Sequence, residues 1–227
     1  MSEVTKSQIK HFKQLYETHQ GTLMAVSSES LAHKQLRYEQ ISKIFAAEQR
    51  FSIHDVGMGL SYYYAYLKNN FPTLEIEYSG SEILKAFYKE SMKRYPEQRF
   101  YIRDISKQSF KDCYDYVIMS GVFHQRRDTP IRQWENYAQS LISNSFAMCR
   151  KGIAFNFITP FVDFYQPEVY YCNMSKFLNF IVDQLSRFFV ISHNYALYEF
   201  TVFVYRPEHI KRLHKQPELQ KYFGGMP

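Results

Sequence analysis

The feature that most constrains the fold of this chain is an alternation of short apolar runs with helix-like segments. The apolar runs cover residues 51–56, 74–78, 100–102, 114–119 and 152–157, and the helix-like segments cover 61–69, 82–94 and 132–150. This alternation is typical of βαβ units, in which consecutive strands run parallel and helices cover both faces of the sheet. The sequence therefore predicts an α/β fold with a doubly wound, mostly parallel sheet.

The two ends of the chain follow different patterns. Residues 188–193 and 198–205 are β-rich and flank a turn-prone stretch, which predicts an antiparallel hairpin. Residues 4–18 and about 28–49 have helical periodicity, and Ser27, Ser28 or Ser30 can cap the second helix. We expect a helical cap over 1–50, a main domain over 51–227, and a lid insertion at about 160–187 over the carboxyl edge of the sheet, where open α/β folds bind ligands.

Composition and charge narrow the class of protein. Of 227 residues, 45% are hydrophobic and 22% are charged, close to the averages for a folded globular domain. The formal charge of +6 is scattered along the chain, so we expect a small-molecule partner and no nucleic acid. Cys113, Cys149 and Cys172 lack disulfide or zinc spacing, and no apolar run reaches the ~18 residues of a bilayer span. We expect a cytoplasmic protein without a metal site or membrane contact, in which the amino-terminal helices are available to form a homodimer.

The strongest local signal follows the first apolar run, in the sequence Phe51-Ser-Ile-His-Asp55-Val-Gly57-Met-Gly59-Leu-Ser61. An acid ends the run, and two glycines follow where the chain turns into a helix. Glycine lets a ligand approach the backbone closely, and the first N–H groups of a helix are free to bind it. A tight turn without a ligand is the alternative interpretation.

Two further acids follow the second and third apolar runs. Glu82 lies where the diol of a bound ribose would reach it, and a carboxylate can accept hydrogen bonds from both hydroxyls. Asp104 comes after Phe100-Tyr-Ile-Arg and can accept a hydrogen bond from an exocyclic amine. The alternatives are a favourable charge at a helix start for Glu82 and an ordinary capping residue for Asp104.

Together these segments resemble the signature motifs of the class I S-adenosylmethionine-dependent methyltransferases of bacterial, small-molecule type. The resemblance covers about 50–205, through Asp55-x-Gly57-x-Gly59, Tyr78-x-Gly80-x-Glu82, Phe100-x-x-x-Asp104, the strand and loop from Asp115 to His124, and residues 149–157. A looser similarity relates Tyr16-Glu-x-His-Gln20-Gly21 and Gln35-x-Arg37-Tyr38 to the caps of members associated with small-molecule or surface-sugar modification. The resemblance implies a Rossmann-like, seven-stranded sheet with an antiparallel last strand.

The resemblance also implies a site for S-adenosylmethionine, with S-adenosylhomocysteine as the product. Gly57 and Gly59 would pack under the methionine and ribose, Glu82 would hold the ribose hydroxyls, and Asp104 with the Ile105 backbone would bind the adenine. Asp55 would organise the glycine turn. For the methionine carboxylate we expect Arg37, whose guanidinium can bind it in a bidentate way; the alternative is an arginine on the solvated side of an amphipathic helix. Ile83 and Ser120 complete the implied cofactor-binding set.

The glycine-rich turn departs from the family pattern at two positions. Ser61 stands where a third glycine is usual, and Met58 stands where cysteine is frequent. Because a helix start needs no positive φ, we expect Ser61 to fit without strain. Nicotinamide dehydrogenases use a similar turn, but their G-x-G-x-x-G spacing would require glycine where Tyr62 stands.

The sequence says less about the methyl acceptor than about the cofactor. His124 follows the fourth strand and, with an ordinary pKa of about 6.5, is the candidate general base; a hydrogen bond to a loop carbonyl is its alternative role. The candidate acceptor-lining residues are Tyr16, Asn156, Tyr165, Tyr170, Tyr171 and His193. We expect methyl transfer to an oxygen or nitrogen of a small metabolite or of a sugar- or nucleotide-linked intermediate. The alternatives are methylation of RNA or protein and a non-catalytic nucleoside-binding module.

Overall fold

The fold is built on one seven-stranded sheet, in a computed structural model that describes residues 2–20, 22–26 and 30–223. The strands are β1 (Arg50–Val56), β2 (Glu75–Glu82), β3 (Arg99–Ile102), β4 (Tyr114–Met119), β5 (Cys149–Ile158), β6 (Phe189–Ser192) and β7 (Glu199–Tyr205). Their order across the sheet is β3-β2-β1-β4-β5-β7-β6. Strands β1 to β5 pair in parallel, whereas β7 runs antiparallel to both β5 and β6. The predicted fold class is confirmed, including the reversed last strand.

Helices cover both faces of this sheet. They are α1 (Glu3–Thr18), α2 (Leu31–Ser42), α3 (Tyr62–Asn70), α4 (Lys85–Arg94), α5 (Ile131–Ala147), α6 (Met174–Gln184) and α7 (Pro207–Leu213), with 3₁₀ turns at Leu23–Val26, Lys43–Phe45 and Pro217–Phe223. No helix within the described ranges is long and apolar enough to cross a bilayer. Helix α7 and the last 3₁₀ turn extend beyond the predicted elements.

Alternation of side chains along the strands divides the core into two layers. Val117 and Phe155 point to the α5 side, where Trp134 is fully buried. Their neighbours Ile118 and Ala154 point to the α2 and α3 side. This period-two pattern explains why the central strands are apolar throughout, since both faces of a parallel sheet are covered.

Capping side chains fix the starts of three helices. The Ser2 hydroxyl accepts a hydrogen bond from the Thr5 N–H at 3.1 Å, and Asn173 accepts one from the Lys176 N–H at 3.0 Å. Ser30 caps α2 by accepting from the His33 N–H, so α2 begins at Leu31. The other two capping candidates, Ser27 and Ser28, lie outside the described residues, as does Gly21 of the looser cap motif.

The expected lid at 160–187 contains a helix that belongs to the core. Phe177 and Ile181 of α6 are buried against the α5 face of the sheet. At the other end of the chain, Tyr38 and Ile41 of the expected cap share a core cluster with Phe51 of β1. The division into a cap over 1–50 and a domain over 51–227 stays a prediction.

The expectation that Ser61 fits without strain is wrong. Ser61 has φ 57° and ψ 33°, in the left-handed region, and its buried hydroxyl has no hydrogen-bond partner within the described chain. The turn keeps the geometry that a third glycine would adopt, because Gly57 and Gly59 also have positive φ values of 73° and 56°. For an L-residue this conformation costs roughly 1–2 kcal/mol.

Candidate functional site

A cavity lies at the carboxyl ends of β1, β2, β3 and β4, and residues of α1 and α2 close its outer side. Its volume of about 160 Å³ is roughly ten times what one water molecule needs. The predicted site residues that line it are Arg37, Gly57, Gly59, Glu82, Ile83, Asp104, Ile105, Ser120 and His124. The topology therefore brings together motifs that are up to 87 positions apart in the chain.

The glycine turn forms the floor of the cavity. The N–H groups of Gly57 and Met58 donate to the Ser81 carbonyl oxygen at 2.9 and 3.2 Å, which ties the turn to the end of β2. A Cβ atom at Gly57 would lie 2.9 Å from Val122 Cγ2 and would have to adopt a positive φ. Both facts explain why glycine stands there: the chain turns sharply, and the neighbouring loop leaves no room.

Glu82 connects the turn after β1 to the end of β2. Its Oε2 accepts a hydrogen bond from the Gly59 N–H at 3.0 Å, and its Oε1 accepts from the N–H groups of Ile83 and Leu84 at 2.7 and 2.9 Å. Burial raises the pKa of Glu82 above its ordinary value, against the lowering effect of these three bonds. The carboxylate is held rigidly at the cavity wall.

The Asp104 carboxylate already accepts hydrogen bonds from a distant helix and from its own loop. Its Oδ2 accepts a hydrogen bond from the Thr5 hydroxyl of α1 at 2.9 Å, and its Oδ1 accepts from the Ser106 N–H at 3.2 Å. Gln8 of α1 also donates from Nε2 to the Gln125 carbonyl oxygen at 2.8 Å. Helix α1 thus bridges the loops after β3 and β4 and covers the cavity.

The lid expected at 160–187 stays a prediction. Among the described residues, those that line the cavity come from the ends of β1 and β2, the loops after the strands, helices α1 to α5 and the 3₁₀ turn before α2, and none comes from 160–187. The reason is that α6 is apolar on the face toward the sheet and packs there, while Thr5 and Gln8 in the amino-terminal half of α1 bond to the loops.

Asp55 lies beneath the site and does not line the cavity. Tyr78 donates its hydroxyl to Asp55 Oδ2 at 2.8 Å, and within the described chain no side-chain hydrogen bond joins Asp55 to the glycine turn. Burial raises the pKa of Asp55 to about 7, and the charge of Glu82 adds to the rise. Asp55 therefore forms a buried tyrosine–carboxyl pair on the α3 side of β1, and its predicted role in organising the glycine turn stays a prediction.

Arg37 lines the cavity but is already paired. Its Nε donates to both carboxylate oxygens of Glu199, at 2.9 and 3.2 Å, and its Nη2 also bonds to Glu199. The pair is enclosed, with Glu199 only 4% exposed. Burial alone would raise the pKa of Glu199, but Arg37 and the surrounding donors hold it below the ordinary value.

Asn156 extends this pair to His124. The Asn156 Oδ1 accepts from the Gly121 N–H at 2.8 Å, and its Nδ2 contacts both Glu199 Oε2 and His124 Nε2, the latter at 3.1 Å. Burial lowers the pKa of His124 to about 4. A buried polar chain therefore runs from α2 through β7 and β5 to the loop after β4, with His124 at the cavity wall.

Lys34 is a cavity residue that sequence reasoning missed. It precedes Arg37 by one helical turn, is 6% exposed, and its Nζ lies 4.2 Å above the Tyr62 ring. No ion pair or hydrogen bond joins its ammonium group to any residue that the structure describes. Burial, together with the nearby charge of Arg37, lowers the pKa of Lys34 to about 7. Its one-turn spacing from Arg37 on α2 was the available signal.

None of the predicted acceptor-lining residues lines the cavity. Tyr16 packs edge-on against Phe87, with ring centroids 5.5 Å apart. Tyr170 is buried in the core and donates to Glu135 at 3.3 Å, while Tyr165 is 65% exposed and donates to the Pro160 carbonyl oxygen. His193 is exposed and lies beside Phe161. Tyr171 accepts a hydrogen bond from the Gln166 N–H, and Asn156 is buried.

Comparisons with known proteins identify a curated relative and solved structures with the same fold. No family model matches the chain. It is 26% identical over 165 residues to "Putative methyltransferase Rv1506c" of Mycobacterium tuberculosis, covering 71% of this chain and 97% of that protein. Magnesium protoporphyrin IX methyltransferase from Synechocystis PCC 6803 with bound S-adenosylmethionine has a TM-score of 0.61 at 14% identity, covering 91% of this chain and 98% of that chain. A structure named as the DhpI-SAM-HEP complex has a TM-score of 0.62 at 11% identity, covering 91% and 100%. The low-identity structures show the predicted fold, and the curated relative is itself named as a methyltransferase.

Proposed function

We propose that this chain, which has the fold of the class I S-adenosylmethionine-dependent methyltransferases, transfers a methyl group from that cofactor to an oxygen or nitrogen of a small molecule. The proposal rests on one observation: the Gly57 and Gly59 backbone and the Glu82 carboxylate meet at one wall of the cavity, with Gly59 N and Glu82 Oε2 only 3.0 Å apart. Glycines that admit a ligand and a fixed carboxylate that accepts from a diol are what an adenosyl group requires.

The cavity residues divide the work of binding. Glu82 would accept hydrogen bonds from the ribose hydroxyls, because its position is fixed by three backbone donors. Ile83 and Ile105 would provide apolar walls for the adenine, and Asp104 would accept from its exocyclic amine with the acceptor capacity that Thr5 and Ser106 leave. The cofactor supplies a methyl group activated on a sulfonium sulfur.

The carboxylate of the methionine portion fits Lys34 better than Arg37. Glu199 already neutralises the Arg37 guanidinium, whereas the Lys34 ammonium is buried in the cavity wall without a counter-charge. A buried cation without a partner is costly, and an anionic ligand removes that cost. We therefore assign the carboxylate to Lys34, with Nη1 of Arg37 as a neighbouring donor.

The enclosure of the cavity favours a small acceptor over RNA or a protein side chain. Helix α1 spans the opening through Thr5 and Gln8, which restricts access to the cofactor site. Methyl transfer from a sulfonium is an in-line displacement, so the main tasks of these walls are to orient the two reactants and exclude water.

Calorimetric titration of the full chain tests the proposal. S-adenosylmethionine and S-adenosylhomocysteine should give saturable binding, and NAD should not. Glu82→Gln should weaken the binding of S-adenosylhomocysteine by roughly 1–3 kcal/mol, because a charge-assisted hydrogen bond is lost. Glu75→Gln, at the exposed start of the same strand, is the matched control and should bind as the parent does. Selective NAD binding, or an unchanged affinity in Glu82→Gln, would contradict the proposal.

A second titration isolates the assignment of Lys34. Lys34→Met should weaken binding of S-adenosylhomocysteine about 10-fold or more, in line with a charge-assisted contact, but should leave binding of 5′-methylthioadenosine nearly unchanged. The second ligand lacks the amino-acid portion and so has no carboxylate to lose. Equal weakening of both ligands would show that Lys34 acts elsewhere in the site.

A further inference from the structure

The hydrogen bonds around Asn156 determine how its side-chain amide is oriented. The backbone N–H of Gly121 can only donate, so the Asn156 atom that lies 2.8 Å from it must be the oxygen. The Asn156 NH₂ group then faces Glu199 and His124. A flipped amide would leave the Gly121 N–H without an acceptor and would point a second oxygen at the Glu199 carboxylate.

This orientation determines which ring nitrogen of His124 is protonated. The Asn156 Nδ2 can only donate, and one of its two hydrogens is used by Glu199. The other points to His124 Nε2 at 3.1 Å, so Nε2 must offer its lone pair. In a neutral imidazole the single proton then lies on Nδ1. The ring is further fixed through the backbone, because the Tyr170 N–H donates to the His124 carbonyl oxygen at 2.8 Å.

We propose that His124 is a fixed hydrogen-bond donor to the methyl acceptor through Nδ1–H, and is not a general base. Asn156 and Glu199 are positioning residues that hold this tautomer. The proposal rests on the methyltransferase function proposed above. It replaces the base role that the position of His124 after β4 suggested, because the lone pair that a base would need is already occupied by Asn156.

The charges around His124 favour the neutral ring. Glu199 on β7 would favour a protonated imidazole, and Arg37 on α2 opposes it; these two charges also pair with each other. Burial disfavours the charged ring and lowers the pKa of His124 to about 4. The ring therefore stays neutral across the physiological range, and no hydrogen bond within the described chain occupies its Nδ1–H.

A donor at this position suits an acceptor oxygen that is already deprotonated, such as that of a carboxylate. One carboxylate oxygen would accept from His124 Nδ1–H while the other attacks. The attacking oxygen forms a bond to the methyl carbon as the carbon–sulfur bond breaks and its electron pair passes to sulfur. The anion and the sulfonium charge cancel, and no proton has to leave the acceptor.

A nitrogen-15 spectrum tests the tautomer without knowledge of the acceptor. The ¹⁵N-labelled full chain, saturated with S-adenosylhomocysteine, is followed by two-bond ¹H–¹⁵N correlation from pH 5.5 to 8.5, and His124 is assigned by its absence in His124→Gln. We expect the pattern of a neutral ring protonated on Nδ1, unchanged across this range. An Nε2–H pattern, or a titration midpoint within the range, would overturn the proposal.

Asn156→Asp tests whether residue 156 sets the tautomer. The carboxyl introduced at position 156 holds at most one proton and shares it with Glu199, so no hydrogen is left for His124 Nε2 and His124 should change to the Nε2–H form in this variant. A purely structural role for Asn156 predicts no change in the tautomer and would contradict the proposal. If the variant does not fold, the spectrum of the parent chain still shows which ring nitrogen of His124 carries the proton. Failure of S-adenosylhomocysteine to bind in calorimetry would instead contradict the proposed function, so the two failures are distinguishable.

Discussion

Replacement of Lys34 by methionine should stabilise the protein in the absence of cofactor. Lys34 is 6% exposed and its ammonium group has no acidic partner in the described chain, so the folded state binds its proton more weakly than the unfolded state does. Methionine has a similar length, fills the same space and can still contact the Tyr62 ring. The substitution removes the buried charge and keeps the packing.

The size of the effect follows from the pKa of Lys34. Burial lowers that pKa from 10.5 to about 7, a difference that corresponds to a free energy on the order of 5 kcal/mol. Because the folded-state pKa is the lower one, the destabilisation is full at and below pH 7. It decreases by about 1.4 kcal/mol per pH unit above 7 and vanishes near the unfolded value of 10.5.

Urea denaturation of the parent chain and Lys34→Met between pH 6 and pH 9.5 measures this dependence. We expect the free energy of unfolding to be higher in the variant at pH 6 and 7, with a difference that shrinks toward pH 9.5. Lys89→Met, on the exposed face of α4, is the control and should show a small difference that does not depend on pH. Saturating S-adenosylhomocysteine should reduce the advantage of Lys34→Met, because its carboxylate would neutralise Lys34 in the parent.

Two results would refute this reasoning. A variant no more stable than the parent at pH 7 would show that the Lys34 ammonium is compensated in the folded state. A stability gain that stays constant from pH 6 to 9.5 would show that packing, and not charge, accounts for it.

Three further predictions follow from other contacts. Ser61→Gly should raise the free energy of unfolding by roughly 1 kcal/mol, because glycine adopts the left-handed conformation without a steric cost; a loss of stability in urea denaturation would contradict this. Arg37→Met should lower the free energy of unfolding by about 3–5 kcal/mol at pH 7, because it leaves the Glu199 carboxylate buried without its partner. This loss of stability should shrink as the pH falls and Glu199 becomes protonated. A loss that does not depend on pH would count against the ion pair. Thr5→Val removes the hydrogen bond to Asp104. Because such a bond contributes about 1 kcal/mol, hydrogen exchange of the α1 amides should become about 5-fold faster. Unchanged exchange would show that this bond does not hold α1 over the cavity.

The sequence predicted the parts of the site that depend on neighbouring strands. The hydrogen bond between Gly59 and Glu82 spans only 23 positions, and it forms because β1 and β2 are parallel and end at the same edge. Periodicity and the glycine spacing therefore suffice to place the turn and the carboxylate. The same argument places Asp104 and Ser120, which follow the next two strand ends.

The sequence could not predict contacts made by the amino-terminal helices. Arg37 and Glu199 are 162 positions apart, and Thr5 and Asp104 are 99 apart, so neither pair follows from local periodicity. A signal for Glu199 was present, since an acid at the head of the apolar run Glu-Phe-Thr-Val-Phe-Val-Tyr would be buried and would need a partner. The partner itself depends on how α2 packs across the sheet.

The tyrosines predicted to line the acceptor site lie outside the cavity for a related reason. Tyr170 and Tyr171 were placed by their position after β5, but the loop that carries them packs beside His124 and Gln125 without entering the cavity. Aromatic side chains serve core and pocket equally well, so residue type alone could not separate the two. The prediction that Ser61 fits without strain was wrong because the backbone geometry of the turn is set by its glycines and not by the helix that follows.

The most direct test of the central claim is a crystal structure of the chain with S-adenosylhomocysteine. We predict electron density in the cavity under α1, with the ribose hydroxyls within hydrogen-bond distance of Glu82 and the carboxylate within about 4 Å of Lys34 Nζ. Density for the ligand outside this cavity, or a cavity filled by side chains at saturating ligand, would contradict the account.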